Sequence, residues 1–142
     1  MNKWRPFDIK SFLKASKHWD DDIKKLQEEH DNLSVLPGMS DVPSGKTGNV
    51  SDVTAGAALR RLKITSQIEE IKLNKEILAF ALKMLTEDER ALIDGFYYPK
   101  KSISVFVQEY GREHGMGRSL VYKERDRIEQ RMARVIEHRY YD

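Results

Sequence analysis

The chain of 142 residues contains no cysteine, which excludes disulfides and thiolate-ligated zinc. Four prolines and eight glycines are few for its length, and they are unevenly spread. Pro37, Gly38, Pro43, Gly45 and Gly48 crowd into one stretch, and Gly111, Gly115 and Gly117 into another. No apolar run approaches the ~20 residues that span a bilayer, and the N-terminus lacks the pattern of a secretory leader. A cytoplasmic protein without membrane contact is therefore expected. No run alternates apolar and polar residues over the length of a strand, so the expected fold class is all-α. Apolar residues make up 39% of the chain and charged ones 34%, which suits helices with broad solvated faces around a modest core.

The net charge of +2 hides an asymmetry. From Met1 to Val35, seven Lys/Arg cancel seven Asp/Glu, whereas from Lys100 to Arg139 ten Lys/Arg face six Asp/Glu. Positive potential at the C-terminal end attracts a polyanion.

Periodicity predicts a first helix from Pro6 to Leu33. Phe12, Ser16, Trp19, Ile23, Leu26, His30 and Leu33 alternate steps of four and three, a heptad seam that Ser16 and His30 weaken. A Pro/Gly-rich loop is expected over 36–52. A second long helix is expected from Ser51 or Asp52, both good N-caps, to Leu85. Its seam is Ile64, Ile68, Ile71, Lys75, Leu78, Leu82 and Leu85, widened by Leu73, Ile77 and Phe80. Two such helices predict a long antiparallel hairpin over 1–85, serving packing and self-association. The surplus apolar width leaves room for a third partner, either the C-terminal helices or a second copy of the chain, and a dimer through the long helices is the expected assembly.

Residues 86–142 predict a separate helix-turn-helix module. Thr86 and Glu89 form a capping-box pair, Pro99 ends that helix, and Ser102 caps the next. The latter buries Ile103, Phe106, Val107 and Tyr110, with Gly111 as its left-handed cap. The turn is placed at Gly111–Gly117 with Met116 as an apolar plug. A basic helix follows from Arg118 or Ser119 to Arg139, with Val121, Ile128, Met132 and Val135 inward. Helix, turn and basic helix is the arrangement that lays side chains in the major groove of DNA. With Val121 in the core, Ser119, Tyr122, Lys123, Asp126, Arg127 and Gln130 point outward. Candidate base readers are Arg118, Ser119, Tyr122 and Lys123, because Lys and Arg match guanine O6 and N7, and hydroxyls bond bases or phosphates. Arg127 and Arg131 are expected at the DNA backbone, and Lys100 and Lys101 at a flanking phosphate. A solvated helix laced with ion pairs is the competing explanation, since Glu124, Asp126 and Glu129 interleave with the bases.

Other signals weigh less. Ser44-Gly45-Lys46-Thr47-Gly48 contains a Gly-Lys-Thr but lacks the upstream glycine and the preceding strand of a phosphate loop. His18, His30, His114 and His138 have no paired spacing for zinc. Asp20, Asp21 and Asp22 diverge around a helix and read as a solvated patch. Trp4 and Trp19 read as packing anchors. No catalytic constellation, metal or cofactor is expected.

Leu85-Thr86-Glu87-Asp88-Glu89-Arg90, Phe96-Tyr97-Tyr98, a Ser-capped helix, a turn and Ser119-Leu120-Val121-Tyr122-Lys123 resemble region 4 of sigma factors. With the linker Pro37-Gly38-Met39-Ser40-Asp41-Val42-Pro43-Ser44 and the long helix after it, the chain from about Lys24 onward resembles bacteriophage late-gene transcriptional regulators of the RinA/ArpU type. The stretch Gly111–Gly117 is longer than the compact region-4 turn. The resemblance implies sequence-specific binding of double-stranded DNA in a bacterial host, control of phage or prophage late genes, contact with RNA polymerase, and no catalysis. A DNA-packaging factor such as a small terminase subunit, and an adaptor that binds polymerase or another protein without DNA, are the alternatives.

Overall fold

The computed structural model describes residues 8–34 and 47–141. Among these residues the chain is entirely helical, without strands, and no helix is long and apolar enough to cross a membrane. The helices are α1 (Ile9–Ser16), α2 (Trp19–Ser34), α3 (Thr47–Lys83), α4 (Glu87–Tyr97), α5 (Ile103–His114) and α6 (Arg118–Ile136), the last followed by a π-helical turn at Glu137–Tyr141.

The predicted first helix is in fact two. Asp8 caps α1 by accepting from the Ser11 amide at 3.1 Å and the Ser11 hydroxyl at 2.6 Å, which also lowers the Asp8 pKa. The chain turns at Lys17–His18, and α2 restarts with the His18 carbonyl accepting from the Asp22 amide. The charges mark this break. Lys14 lies in the last turn of α1, and Asp20, Asp21 and Asp22 fill the first turn of α2. Each sign suits the dipole of its own helix end, so the acidic triplet is a helix start within a longer apolar pattern.

The chain forms two compact units, one comprising residues up to Lys17 and from Lys75 onward, the other His18–Asn74. This division differs from the expected boundary between 85 and 86, because α1 and the end of α3 belong with the C-terminal helices. The His18–Asn74 unit is an antiparallel hairpin of α2 and the first part of α3. Glu29 pairs with Arg60 at 2.7 Å, and Arg61 donates to the Leu33 carbonyl. Closer to the other end, Asp22 and Lys25 share a groove with Glu70 and Asn74. Ala57, Ile64 and Ile68 are buried. Leu73, expected on the packed face, is 48% exposed, because it lies on the side of α3 opposite Ile64. Helix α3 is already formed at Thr47, earlier than Ser51 or Asp52; the rest of the expected loop, 36–46, lies outside the described residues.

The larger unit assembles α1, the end of α3, and α4–α6 around Phe12, Leu13, Ile77, Leu92, Ile93, Val107, Val121, Ile128, Met132 and Ile136, all essentially inaccessible. Helix α1 presses Ile9, Phe12 and Leu13 inward. The capping box at α4 forms as its spacing predicts: the Thr86 hydroxyl accepts from the Glu89 amide, and the Glu89 carboxylate accepts from the Thr86 amide. Helix α4 crosses α5 at Gly95, where a β-carbon would lie 2.0 Å from the Phe106 ring. The Phe96 ring meets Phe106 edge-on at 5.7 Å.

Ser102 caps α5 as expected, but Gly111 does not end it. Helix α5 runs on to His114, and Gly115, at φ 65°, is the left-handed cap. Gly111 has a different task. The Met116 amide donates to its carbonyl at 2.8 Å, and a β-carbon there would stand 2.4 Å from the Met116 carbonyl oxygen. The turn is thereby confined to Gly115–Gly117, shorter than the expected Gly111–Gly117, because α5 gains a further turn once the missing side chain at 111 lets the chain fold back tightly. Ile103, expected inside, is 41% exposed. On α6 the inward row is Val121, Ile128, Met132 and Ile136, with Val135 only half-buried. Four-residue steps beyond Ile128 keep the row over the core.

Candidate nucleic-acid interface

The positions that α6 presents follow from how it is held. Its deepest polar group is the Glu129 carboxylate, 1% exposed. The Tyr97 hydroxyl of α4 donates to it, and Lys10 Nζ of α1 reaches it at 2.5 Å. Arg125, one turn back, lies 3.8 Å away. A buried carboxylate needs such donors, since an unpaired charge out of water is strongly unfavourable. Burial, reinforced by this acceptor, pushes the Tyr97 hydroxyl above its ordinary range and keeps it protonated. Arg125 also stacks on Phe96 and Tyr122, its guanidinium carbon 4.8 and 5.1 Å from their ring centres. These contacts fix the rotation of α6 about its axis.

With that rotation, Ser119 and Lys123 face solvent, as do Arg118, Gln130 and Arg134. Among the described residues, neither Lys123 nor Arg134 enters an ion pair. Arg118 reaches Ser104 Oγ at 3.4 Å across a groove of about 400 Å³ that Val107, Gln108 and Met116 complete. These groups occupy the first turns of α6 and the adjoining edge of α5, with the Gly115–Gly117 turn between them.

Four sequence candidates are placed differently. Tyr122 is half-buried, its ring 5.4 Å from that of Phe96, so it supports α6 and does not reach outward. Arg127 pairs with Glu124 and, at 3.3 Å, with Glu89; these bonds, Glu124 first, raise its pKa. Arg131 pairs with Glu89 at 2.5 Å. Lys101 is held by Glu109. Each of these cations already has an internal anion, which lowers its value to a phosphate. Lys100 is exposed. Arg134 was not among the candidates, although one further turn beyond Arg127 and Gln130 on the outward face points to it.

Glu89 thus closes two structures, the α4 cap and the bridge to α6. The hydrogen bond from Arg131 holds its carboxyl at a pKa of about 2, well below the 4.5 of an ordinary glutamate. A depressed carboxyl contributes stability that is complete above its unfolded pKa and disappears as pH falls through the folded one. Between about pH 5 and 2, the protein should lose roughly 1–2 kcal/mol through this group, allowing for solvent around the two arginines. Urea midpoints across that range should fall more steeply in the wild type than in Glu89→Gln. Parallel curves for the two proteins would remove Glu89 from this role.

Among the described residues no group of three His, Asp or Glu side chains could hold a metal ion. The geometry suits non-covalent recognition of a polyanion: a braced helix, a short turn, and free cations near the helix start. The chain matches no protein-family model, no curated protein and no solved structure at a significant level.

Proposed function

We propose that this chain is a sequence-specific double-stranded DNA-binding regulator of transcription, non-catalytic, acting on phage or prophage late genes as the RinA/ArpU resemblance implies. One observation carries the reading. The three-residue turn Gly115–Gly117 leads into a helix whose first turns offer Arg118, Ser119 and Lys123 to solvent, while its other side is locked by Glu129 and Arg125. In this mechanism the N-terminal half of α6 enters the major groove and Lys123 and Ser119 meet base edges. Arg134 neutralises a backbone phosphate, with salt-dependent affinity as the consequence. RNA polymerase is the expected protein partner.

Fluorescence anisotropy on duplexes selected from a random-sequence pool tests this reading. Lys123→Ala should weaken binding by about 1–3 kcal/mol and relax preference at one base position. Arg134→Ala should weaken all sequences alike and lower the salt slope by about one. Arg131→Ala, whose cation already bridges to Glu89, should change the slope less than Arg134→Ala. Failure of the wild type to bind any duplex at low salt would overturn the proposal, and polymerase capture without DNA binding would favour the adaptor.

A further inference from the structure

Helix α6 gives its apolar residues to the core with one exception. Val121, Ile128, Met132 and Ile136 are inaccessible, whereas Leu120 is 54% exposed. It stands in the first turns of the helix, between Ser119 and Lys123, which also face solvent. Around the axis it lies about 100° from Val121 and about 60° from Lys123. One seven-residue step along the same flank leads to Arg127, which Glu124 and Glu89 hold. The cation on this flank is thus engaged by carboxylates of its own chain. Near the helix start, the flank offers solvent an apolar group instead of a charge.

Leucine has no hydrogen bond to give a phosphate or a polar base edge, and covering either with it desolvates a polar group without compensation. The major groove presents one apolar group that distinguishes the base pairs, the C5 methyl of thymine. Leu120 and Lys123 are three residues apart, about 4.5 Å along the helix, which is close to the spacing of about 3.4 Å between successive bases of a strand. A helix that brings Lys123 to a base edge therefore carries Leu120 over a neighbouring base pair. We propose that Leu120 is a specificity-determining residue that reads a thymine methyl within two base pairs of the position Lys123 reads. The inference rests on the DNA-binding reading and adds to it a thymine requirement that owes nothing to hydrogen bonding.

Deoxyuridine isolates the methyl group, because it pairs with adenine as thymine does and keeps every donor and acceptor of the base. Each thymine of the duplex selected by the full-length chain is replaced in turn by deoxyuridine, and binding is followed by fluorescence anisotropy. The wild type should lose about fourfold in affinity at one thymine, the worth of one buried methyl group. That thymine should fall within two base pairs of the position whose preference Lys123→Ala relaxes. Leu120→Ala, at an exposed position, should keep the wild-type circular dichroism and salt slope, bind the thymine duplex more weakly, and no longer distinguish thymine from deoxyuridine there. A wild type that binds its selected duplex yet tolerates every deoxyuridine, or a Leu120→Ala protein that keeps the distinction, would overturn the assignment and leave the DNA-binding reading standing. Loss of polymerase capture in Leu120→Ala with unaltered DNA binding would give the leucine to a protein partner instead. A wild type that binds no duplex would remove both readings.

Discussion

Glu129→Ala is expected to lower the unfolding free energy by about 2–4 kcal/mol, the cost of a buried Tyr97 hydroxyl left without its acceptor together with the packing lost around the deleted side chain. The carboxylate is 1% exposed and joins three elements: Tyr97 from α4, Lys10 from α1 and Arg125 from α6 itself. Removing it leaves the Tyr97 hydroxyl buried without its acceptor and leaves Lys10, which is half exposed, with Asp126 as its remaining anion. Removing the whole polar cluster should be far milder. In the triple variant Lys10→Met, Tyr97→Phe, Glu129→Leu no buried group is left wanting a partner, so its stability should lie within about 1–2 kcal/mol of wild type. Urea unfolding followed by circular dichroism measures both. If the triple variant falls as far as the single one, shape and not charge satisfaction governs the site. The cluster has a positional role as well, since Glu129 and Arg125 hold the rotation of α6 and therefore the direction of Lys123.

The neighbouring residue should give an effect of similar size by another mechanism. Ile128 is fully inaccessible between Val121 and Met132 on the inward row, and Ile128→Ala should cost about 2–5 kcal/mol through lost burial and the cavity left behind. Ile136→Ala should behave likewise, whereas Val135→Ala, at a half-buried position, should cost clearly less. Thermal melts of the three variants establish the phase of the helix. An Ile128→Ala protein as stable as wild type would mean that α6 is rotated away from the core, and the outward placement of Ser119 and Lys123 would fall with it.

The elements read from the sequence were those whose cause is local. Thr86 and Glu89 specify their cap because each bonds a backbone amide three residues away. Ser102 does the same for α5. The hairpin pattern of α2 and α3 survives because heptad spacing puts apolar groups on one side of a helix wherever that helix sits. Gly115 could have been preferred to Gly111 only by knowing which of two plausible glycines takes a positive φ and which allows a close approach. The Met116 carbonyl decides that, and it is positioned by the fold.

Charge was legible in amount and illegible in use. Arg118, Ser119, Lys123, Arg127 and Arg131 all read alike along a cationic helix, yet Arg127 and Arg131 are matched by Glu89, 38 and 42 residues earlier in the chain. Glu129 read as one more solvated acid, but its cation, Lys10, lies 119 positions away. Periodicity records only the angle of a side chain about its own axis. The helix type, the N-caps at Thr86 and Ser102 and the all-α class follow from interactions within a few residues, and the sequence contains them. The break at Lys17–His18, the burial of Glu129 and the short list of free cations depend on which distant segments meet, because desolvation and ion pairing are properties of the packed surroundings.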